Sequence, residues 1–393
     1  MRPQSILLAL VTLLGSLQAG IVEDWNEAFL NAVRKETPPP CLVSRNLPIF
    51  HLAVHRSLKA AAALSAGEQR QAAHLASRTA FLSFFPSQTR MAEGLDASLG
   101  VRIESDAVRQ LVAREVARTF QEREGDGSST TVHYVPSDKP GQWRRTPPNF
   151  RPPEFPHWGQ VRPFLVDQAA SYRVPPPPAL DSARYAQEVN EVKAIGGKTS
   201  TLRTAEQTLI ARFWADFSYT SSPPGHWNEI AREICRRQAL PLAESARFFA
   251  LLNLTMADAC ICIWNNKYHY NYWRPVTAIQ RADEDGNPAT QPDPAWEPLL
   301  RTPPHPEYVS GHSGVSGAAA AILEHQFGTQ GIAFQASSDD VKDTLRRFTS
   351  FEACAREIAL SRIYGGIHYP AAGEEGLKLG RRIATDCRAR FKE

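Results

Sequence analysis

Three short segments in the last third of this 393-residue chain combine residue types that bind and transform oxyanions. The first is Lys267-Tyr-His-Tyr-Asn-Tyr-Trp-Arg274-Pro275. If helical geometry continues through it, the two cations share a face. Ringed by Tyr268, Tyr270, Tyr272 and Trp273, they repel unless an anion lies between them. Alone, the segment reads equally as a solvated helix end with snorkelling cations. The second is Val309-Ser310-Gly311-His312-Ser313, followed by Val315, Ala319, Ile322, Leu323 and Phe327 at helical spacing. Ser310 can cap that helix, so that the amides of Gly311 and His312 face out of its positive end, a ready anion site. His312 stands at the rim, placed to pass a proton. Alone, this is a serine cap with an incidental histidine. The third is Ser361-Arg362-Ile-Tyr-Gly365-Gly366-Ile-His368-Tyr-Pro370. Thr349 and Glu352 read as a capping box that starts the preceding helix. Gly365 and Gly366 end it, and Pro370 opens the next. His368 is then fixed on a tight linker, with Arg362 able to point to the same side. Together the segments serve one need, a tetrahedral or trigonal-bipyramidal oxyanion held by three cations and backbone amides. Arginine supplies forked donors that match such an anion, and two histidines remain for chemistry.

In order and spacing these segments resemble the signature of vanadium-dependent haloperoxidases and type-2 phosphatidic acid phosphatases: K-x6-R-P, then P-S-G-H, then S-R-x5-H-x3-D. Lys267, Arg274, Pro275, Ser310, Gly311, His312, Ser361, Arg362 and His368 match. Upstream, Asp24-Trp25-Asn26, Arg45-Asn46 and Pro223-Pro224-Gly225-His226-Trp227-Asn228 resemble exported bacterial haloperoxidase-like proteins, so the resemblance runs from about Val22 to about Arg388. It departs at two places. Val309 replaces the proline before the serine, and Ala372 stands where the pattern has aspartate. In the phosphatases that aspartate orients the nucleophilic histidine. Glu374 or Glu375 are the acids near enough in sequence to substitute.

The resemblance implies an all-α fold of helical bundles and vanadate as cofactor. Lys267, Arg274, Ser310, Gly311 and Arg362 would hold its equatorial oxygens. His368 would bind vanadium, and His312 would be the acid–base group. Hydrogen peroxide, polarised by Lys267, would oxidise a halide to hypohalous acid, which halogenates a small organic acceptor. The alternatives are a soluble acid phosphatase, with phosphate in the pocket and His368 as nucleophile, and an oxyanion-binding homologue without turnover. Trp264 and Pro303 match apolar residues on the halide side of the fungal chloroperoxidase. His305 stands where bromoperoxidases carry histidine and the chloroperoxidase phenylalanine, which implies that bromide and iodide are favoured over chloride.

The elements that must position these residues are helices. Ala- and Leu-rich stretches are common and polar–apolar alternation is scarce, which reads as all-α. Amphipathic spacing predicts helices over Val22 to Lys35, Leu47 to Leu64, Glu68 to Leu82 and Asp106 to Glu122. Further helices are predicted from near Ser182 and over Thr204 to Phe217, His226 to Gln238 and Leu242 to Asn265. The last are Ser313 to Phe327, Phe351 to Tyr364 and Ala371 to Phe391. Between them lies a proline-rich connection. The expected organisation is a signal peptide (1–19), an N-terminal helical part (20–124), the connection (125–181) and a helical domain carrying the site (182–393).

Hydrophobic residues make up 42% and charged residues 22% of the chain, which excludes global disorder and a fibre. A net charge of +3 argues against nucleic acid as a partner. Arg2, the apolar run Ile6 to Leu14 and Leu17-Gln18-Ala19 read as a secretory signal cleaved after Ala19. The expectation is therefore an exported protein, periplasmic or secreted, with no membrane-spanning segment after the signal is removed. The six cysteines are too sparse for a disulfide scaffold and read as buried thiols.

Overall fold

The computed structural model describes residues 20–392; the signal read over residues 1–19 lies outside the described residues. Two compact units are formed. The first contains residues up to Glu124, Ser218–Leu254 and Lys392; the second contains Gly125–Phe217 and Thr255–Phe391. The composition change at Gly125 is thus a unit boundary. Ser218–Leu254, which the sequence grouped with the site domain, joins the first unit.

The first unit is built from α1 (Ile21–Glu36), α2 (Pro40–Ala60), α3 (Ala66–Phe84), α4 (Thr89–Leu99), α5 (Asp106–Gln121), α8 (Ser222–Gln238) and the start of α9 (Leu242–Tyr270). Two prolines belong to α2. Pro40 opens it at the first helical position, where its missing N–H costs nothing. Pro48 lies inside α2 among buried Leu47, Ile49 and Phe50, so tertiary burial carries the helix across it. Short α4 was not foreseen, because Ala92 is its one buried side chain and the apolar stripe is minimal.

The upstream motifs form the polar interior of this unit. Asn26 donates to Asn228 (3.0 Å), and Asn228 and Asn253 exchange side-chain hydrogen bonds of 2.8 Å. Trp25 donates to His74 (3.2 Å), and Asp24 pairs with Arg236.

The second unit holds α6 (Ala183–Ile195), α7 (Ala205–Phe213), the rest of α9, α10 (Pro275–Gln280), α11 (Gly311–Phe327), α12 (Phe351–Tyr364) and α13 (Pro370–Arg390). The protein is mostly helical, as read. The addition is an antiparallel hairpin, β1 (Phe334–Ser337) with β2 (Leu345–Phe348), in register Phe334 with Phe348. Its stacked Phe334, Phe348 and Phe351 rings tie it to the start of α12.

Two glycines decide how α11 and the His368 linker are placed. A Cβ on Gly380 would come within 2.1 Å of the Gly314 carbonyl oxygen, so α13 meets α11 backbone to backbone. Gly366 has φ +74°, and a Cβ there would lie 2.3 Å from the Gly196 carbonyl oxygen. Only glycine permits both that conformation and that approach.

The proline-rich connection is pinned rather than merely draped over the surface. Asp258, fully buried on α9, accepts the N–H groups of Phe164 (2.6 Å), Leu165 (2.7 Å) and Val166 (2.9 Å). Trp143 and Trp158 are buried within it. All six cysteines are buried free thiols.

Contrary to the expectation that no later segment is apolar enough to cross a membrane, α9 meets that test by length and composition. Its most apolar window is 94% buried in the fold.

Glu23 is fully buried in the first unit, and burial pushes its carboxyl up to about 7. The folded chain therefore holds this proton more tightly than the unfolded chain. The resulting stability is complete below about 4.5 and is lost as pH rises through about 7. Replacing Glu23 by Gln removes that slope. Thermal melts should show the Tm of Glu23→Gln, relative to the parent, rising between pH 5 and pH 8 by the equivalent of roughly 2–3 kcal/mol.

Candidate functional site

Every residue singled out for oxyanion chemistry lies in the second unit, and the fold brings them together. Lys267 is on the last turn of α9, which ends at Tyr270 because Asn271 takes a left-handed conformation (φ 49°). Fully buried, Lys267 donates through Nζ to the carbonyls of Pro306 (3.1 Å) and Glu307 (3.0 Å). The Trp264 ring lies 5.9 Å from the same ammonium.

Arg274 is not on that helix. It sits in extended conformation as the N-cap of α10, so a turn, and not helical periodicity, aligns it with Lys267. Its guanidinium is fully buried. Nε donates to the carbonyl of His305 (2.9 Å) and Nη1 to that of Ile367 (2.8 Å). Nη1 also lies 3.2 Å from His368 Nε2, and Nη2 2.9 Å from His305 Nδ1.

Arg362, on the last turn of α12, donates through Nη1 to the Trp214 carbonyl. Its Nε is buried with no hydrogen-bond partner. Burial lowers both guanidiniums to about 10. That still leaves them charged at neutral pH.

Ser310 caps α11 as read, accepting the Ser313 N–H (3.3 Å). Its own N–H donates to the Ala372 carbonyl (3.0 Å). At Gly311 a Cβ would meet no protein atom nearer than the Trp264 ring at 3.8 Å, so packing does not demand this glycine. What its absent side chain leaves is room at the helix start. The cap of α12 differs from the reading: Ser350, not Thr349, accepts the Ala353 N–H. His312 is the accessible ring of the site, with its side chain 19% exposed. Its Nε2 is 3.9 Å from Asp216 Oδ2. Sequence predicts a helix through Phe217; α7 stops at Phe213, so Asp216 lies beyond its end.

His368 follows Gly366 on the tight linker, as expected, and is buried. Its Nδ1 is 2.7 Å from Glu307 Oε1, and Oε1 also accepts the Tyr369 N–H (3.1 Å). A guanidinium only donates, so Nε2, facing Arg274, is the unprotonated nitrogen and Nδ1 carries the proton. Burial foremost, then Arg274, Lys267 and Arg362, hold this ring well below the usual histidine range. Its Nε2 lone pair is therefore kept bare.

Glu307 is the functional residue that sequence reasoning missed. Its signal was present, an acid in the otherwise apolar run His305-Pro-Glu-Tyr-Val-Ser310. The acids proposed instead are engaged elsewhere: Glu374 pairs with Arg184 (3.1 Å) and Glu375 with Lys378 (2.7 Å).

Of the halide-side residues, His305 is buried and packs against Trp264, with centroids 5.1 Å apart. Pro303 accepts the His305 N–H (3.0 Å). Nδ1 of His305 lies between a donor, Arg274 Nη2 (2.9 Å), and an acceptor, the Pro306 carbonyl (3.1 Å), so either tautomer finds a partner there. Burial, then Lys267 and Arg274, push the ring well below the usual range. A protonated ring is therefore disfavoured at this position.

The tyrosines also have another task. Tyr268 donates to the Glu154 carbonyl (2.6 Å), Tyr272 to Pro178 (3.0 Å), Tyr308 to Pro175 (2.8 Å), and Tyr270 to Val174. Their hydroxyls hold the connection in place by satisfying its carbonyls.

Three buried cations, a capped helix start and a carboxylate-held histidine thus lie together in a helical-bundle fold. In sequence and fold the chain is similar to vanadium-dependent haloperoxidases. Residues 247–393 match the second helical-bundle domain of vanadium chloroperoxidases. Vanadium chloroperoxidase of Curvularia inaequalis is 28% identical over 206 residues, which cover 45% of this chain and 33% of that protein. The match thus spans about a third of the length of that relative. The structure of the first bacterial vanadium-dependent iodoperoxidase is 29% identical, with a TM-score of 0.74, covering 94% of this chain and 96% of that one. An apo-type bacterial vanadium-dependent chloroperoxidase, 15% identical, shares the fold (TM-score 0.72; 89% and 92% covered).

Lys267 and His312 should separate in their effects. Lys267→Met strips a charged donor from two buried carbonyls, at roughly 1–3 kcal/mol for each orphaned group. Tm and phosphate affinity should both fall. Partly exposed His312 should be replaceable by alanine with no comparable drop in Tm, as calorimetry would register.

Proposed function

We propose that the protein is a vanadate-dependent haloperoxidase that uses hydrogen peroxide to oxidise halide, iodide and bromide before chloride, to hypohalous acid. The observation that carries this reading is the bare Nε2 of His368 facing a cage of buried Lys267, Arg274 and Arg362. The fit to vanadate rests on that lone pair, on the unpartnered buried Nε of Arg362 and on the space left at Gly311. Vanadate, when bound, supplies Lewis-acid activation of peroxide.

The chain does the rest. Lys267, Arg274, Arg362, Ser310 and the Gly311 amide would hold oxygens. His368 would supply the ligand nitrogen, and Glu307 keeps its tautomer. His312, at the accessible edge, would move protons to and from the peroxide oxygens. The low dielectric around buried guanidiniums strengthens each contact. The iodoperoxidase, similar over nearly its whole length, and the signal read over residues 1–19 support an exported enzyme of this kind.

Halide preference follows from Arg274. In the tautomer with a bare Nδ1, His305 takes one of its N–H groups (2.9 Å). A donor spent there does not draw electron density from the bound oxidant. Chloride, the harder ion to oxidise, suffers most. The parent should turn over iodide and bromide with vanadate added, and chloride poorly. His305→Phe should raise chloride turnover relative to bromide in monochlorodimedone halogenation. Chloride turnover as fast as bromide turnover in the parent would overturn the halide assignment.

The two histidines have separable roles. His368→Ala should abolish peroxide-dependent bromination while vanadate is still held weakly by the cations. His312→Ala should leave vanadate affinity near that of the parent and cut the rate roughly 10²–10⁴-fold, the usual range for a positioned proton-transfer group. Equal bromination by His368→Ala at saturating vanadate would refute the reading.

A second reading is favoured by one observation. Glu307 on Nδ1 supplies the orienting acid that Ala372 lacks, so His368 can also attack phosphorus. The vanadate-free protein should hydrolyse p-nitrophenyl phosphate slowly, with vanadate a competitive inhibitor.

A further inference from the structure

We propose that Glu307 is the positioning residue for His368, supplying the carboxylate that the motif position, Ala372, lacks. This deepens the haloperoxidase reading and rests on it. Ala372 is fully buried, and its carbonyl receives the Ser310 N–H (3.0 Å), so its contribution is through the backbone. Glu307, also fully buried, gathers three parts of the site onto one residue. Its carbonyl accepts Lys267 Nζ (3.0 Å), and its N–H donates to the Tyr272 carbonyl (2.9 Å). Its Oε1 accepts both His368 Nδ1–H (2.7 Å) and the Tyr369 N–H (3.1 Å). Two donors adjacent in sequence converge on one oxygen, which fixes the tilt of the ring as well as its tautomer. Oε2 has no hydrogen-bond partner, so nothing competes to turn the carboxylate away.

The Nε2 electron pair would add to vanadate without displacing a group, while Nδ1 keeps its proton against Glu307. No proton has to leave. A carboxylate on the far nitrogen makes a ligand histidine more basic, and its loss typically weakens metal affinity about 10–100-fold.

This prediction opposes simple electrostatics. Removing a negative charge beside three cations should strengthen the binding of any anion. Burial pushes the Glu307 carboxyl up to about 8, against the pull of Arg274 and Lys267, so the titrations are run above that pH, where Glu307→Gln keeps the size and an accepting oxygen but loses the charge. Titration calorimetry of the vanadate-free protein would use inorganic vanadate and inorganic phosphate as separate probes. Phosphate reads the cation cage alone. The expected result for Glu307→Gln is vanadate affinity reduced roughly 10–100-fold, with phosphate affinity unchanged or increased. Glu307→Asp, one methylene shorter, keeps the charge but not the reach. It should also lose vanadate affinity, by a smaller factor.

Ring-15N NMR of His368 in the vanadate-free protein gives a reading that needs no cofactor. A protonated Nδ1 with a far-downfield proton is expected in the parent, shifting upfield in Glu307→Gln. Vanadate affinity that is unchanged or tighter in Glu307→Gln would overturn the proposal. So would a parent ring protonated on Nε2. A parent that binds phosphate but not vanadate would sink the haloperoxidase reading instead, with the ring signal still deciding the role of Glu307.

Discussion

Keeping three cations charged without water is the constraint around which the second unit is organised. Desolvation lowers Arg274 and Arg362 to about 10, which is tolerable only because each guanidinium is bonded to a backbone carbonyl. Lys267 does the same with Pro306 and Glu307. These carbonyls come from three separate stretches of chain, around Trp214, His305–Glu307 and Ile367. The cations therefore draw those stretches together, and the stretches carry the remaining site residues. Charge burial, usually a cost, here assembles the site. The excess of donors left over is what an oxyanion satisfies.

Much of this was legible in the sequence, for identifiable reasons. Glycine and proline punctuation fixed the His368 linker, because Gly366 and Pro370 each admit few conformations. Ser310 announced its own helix start. The illegible parts involve partners distant in sequence. Glu307 meets His368 across 61 positions, and no local pattern joins them. Arg274 reached its place by a left-handed residue at Asn271, where helical spacing predicted something else. For the tyrosines, the pattern shows the ring faces and not the distant carbonyls that their hydroxyls reach. Thr349 and Ser350 are adjacent hydroxyl residues of similar capping strength, and backbone geometry chose between them.

His305 shows how one contact changes the account of selectivity. Sequence placed an imidazole beside the site. In the fold the ring is buried against Trp264, and burial, then Lys267 and Arg274, hold it well below the usual histidine range. On the proposed reading its influence would pass through Arg274 Nη2, 2.9 Å from its Nδ1.

The glycine contact between α11 and α13 has a kinetic meaning. Two helices that touch at the backbone, with no side chains between them, have no rotamers to shuffle and little room to slide. The start of α11, with its cap and outward amides, is thereby locked to the helix that follows His368. On the proposed haloperoxidase reading, such a site would already be in its working shape when the reactants arrive. Little reorganisation energy would be spent at the chemical step, and turnover would be a matter of supply: how often peroxide and halide reach the accessible edge at His312.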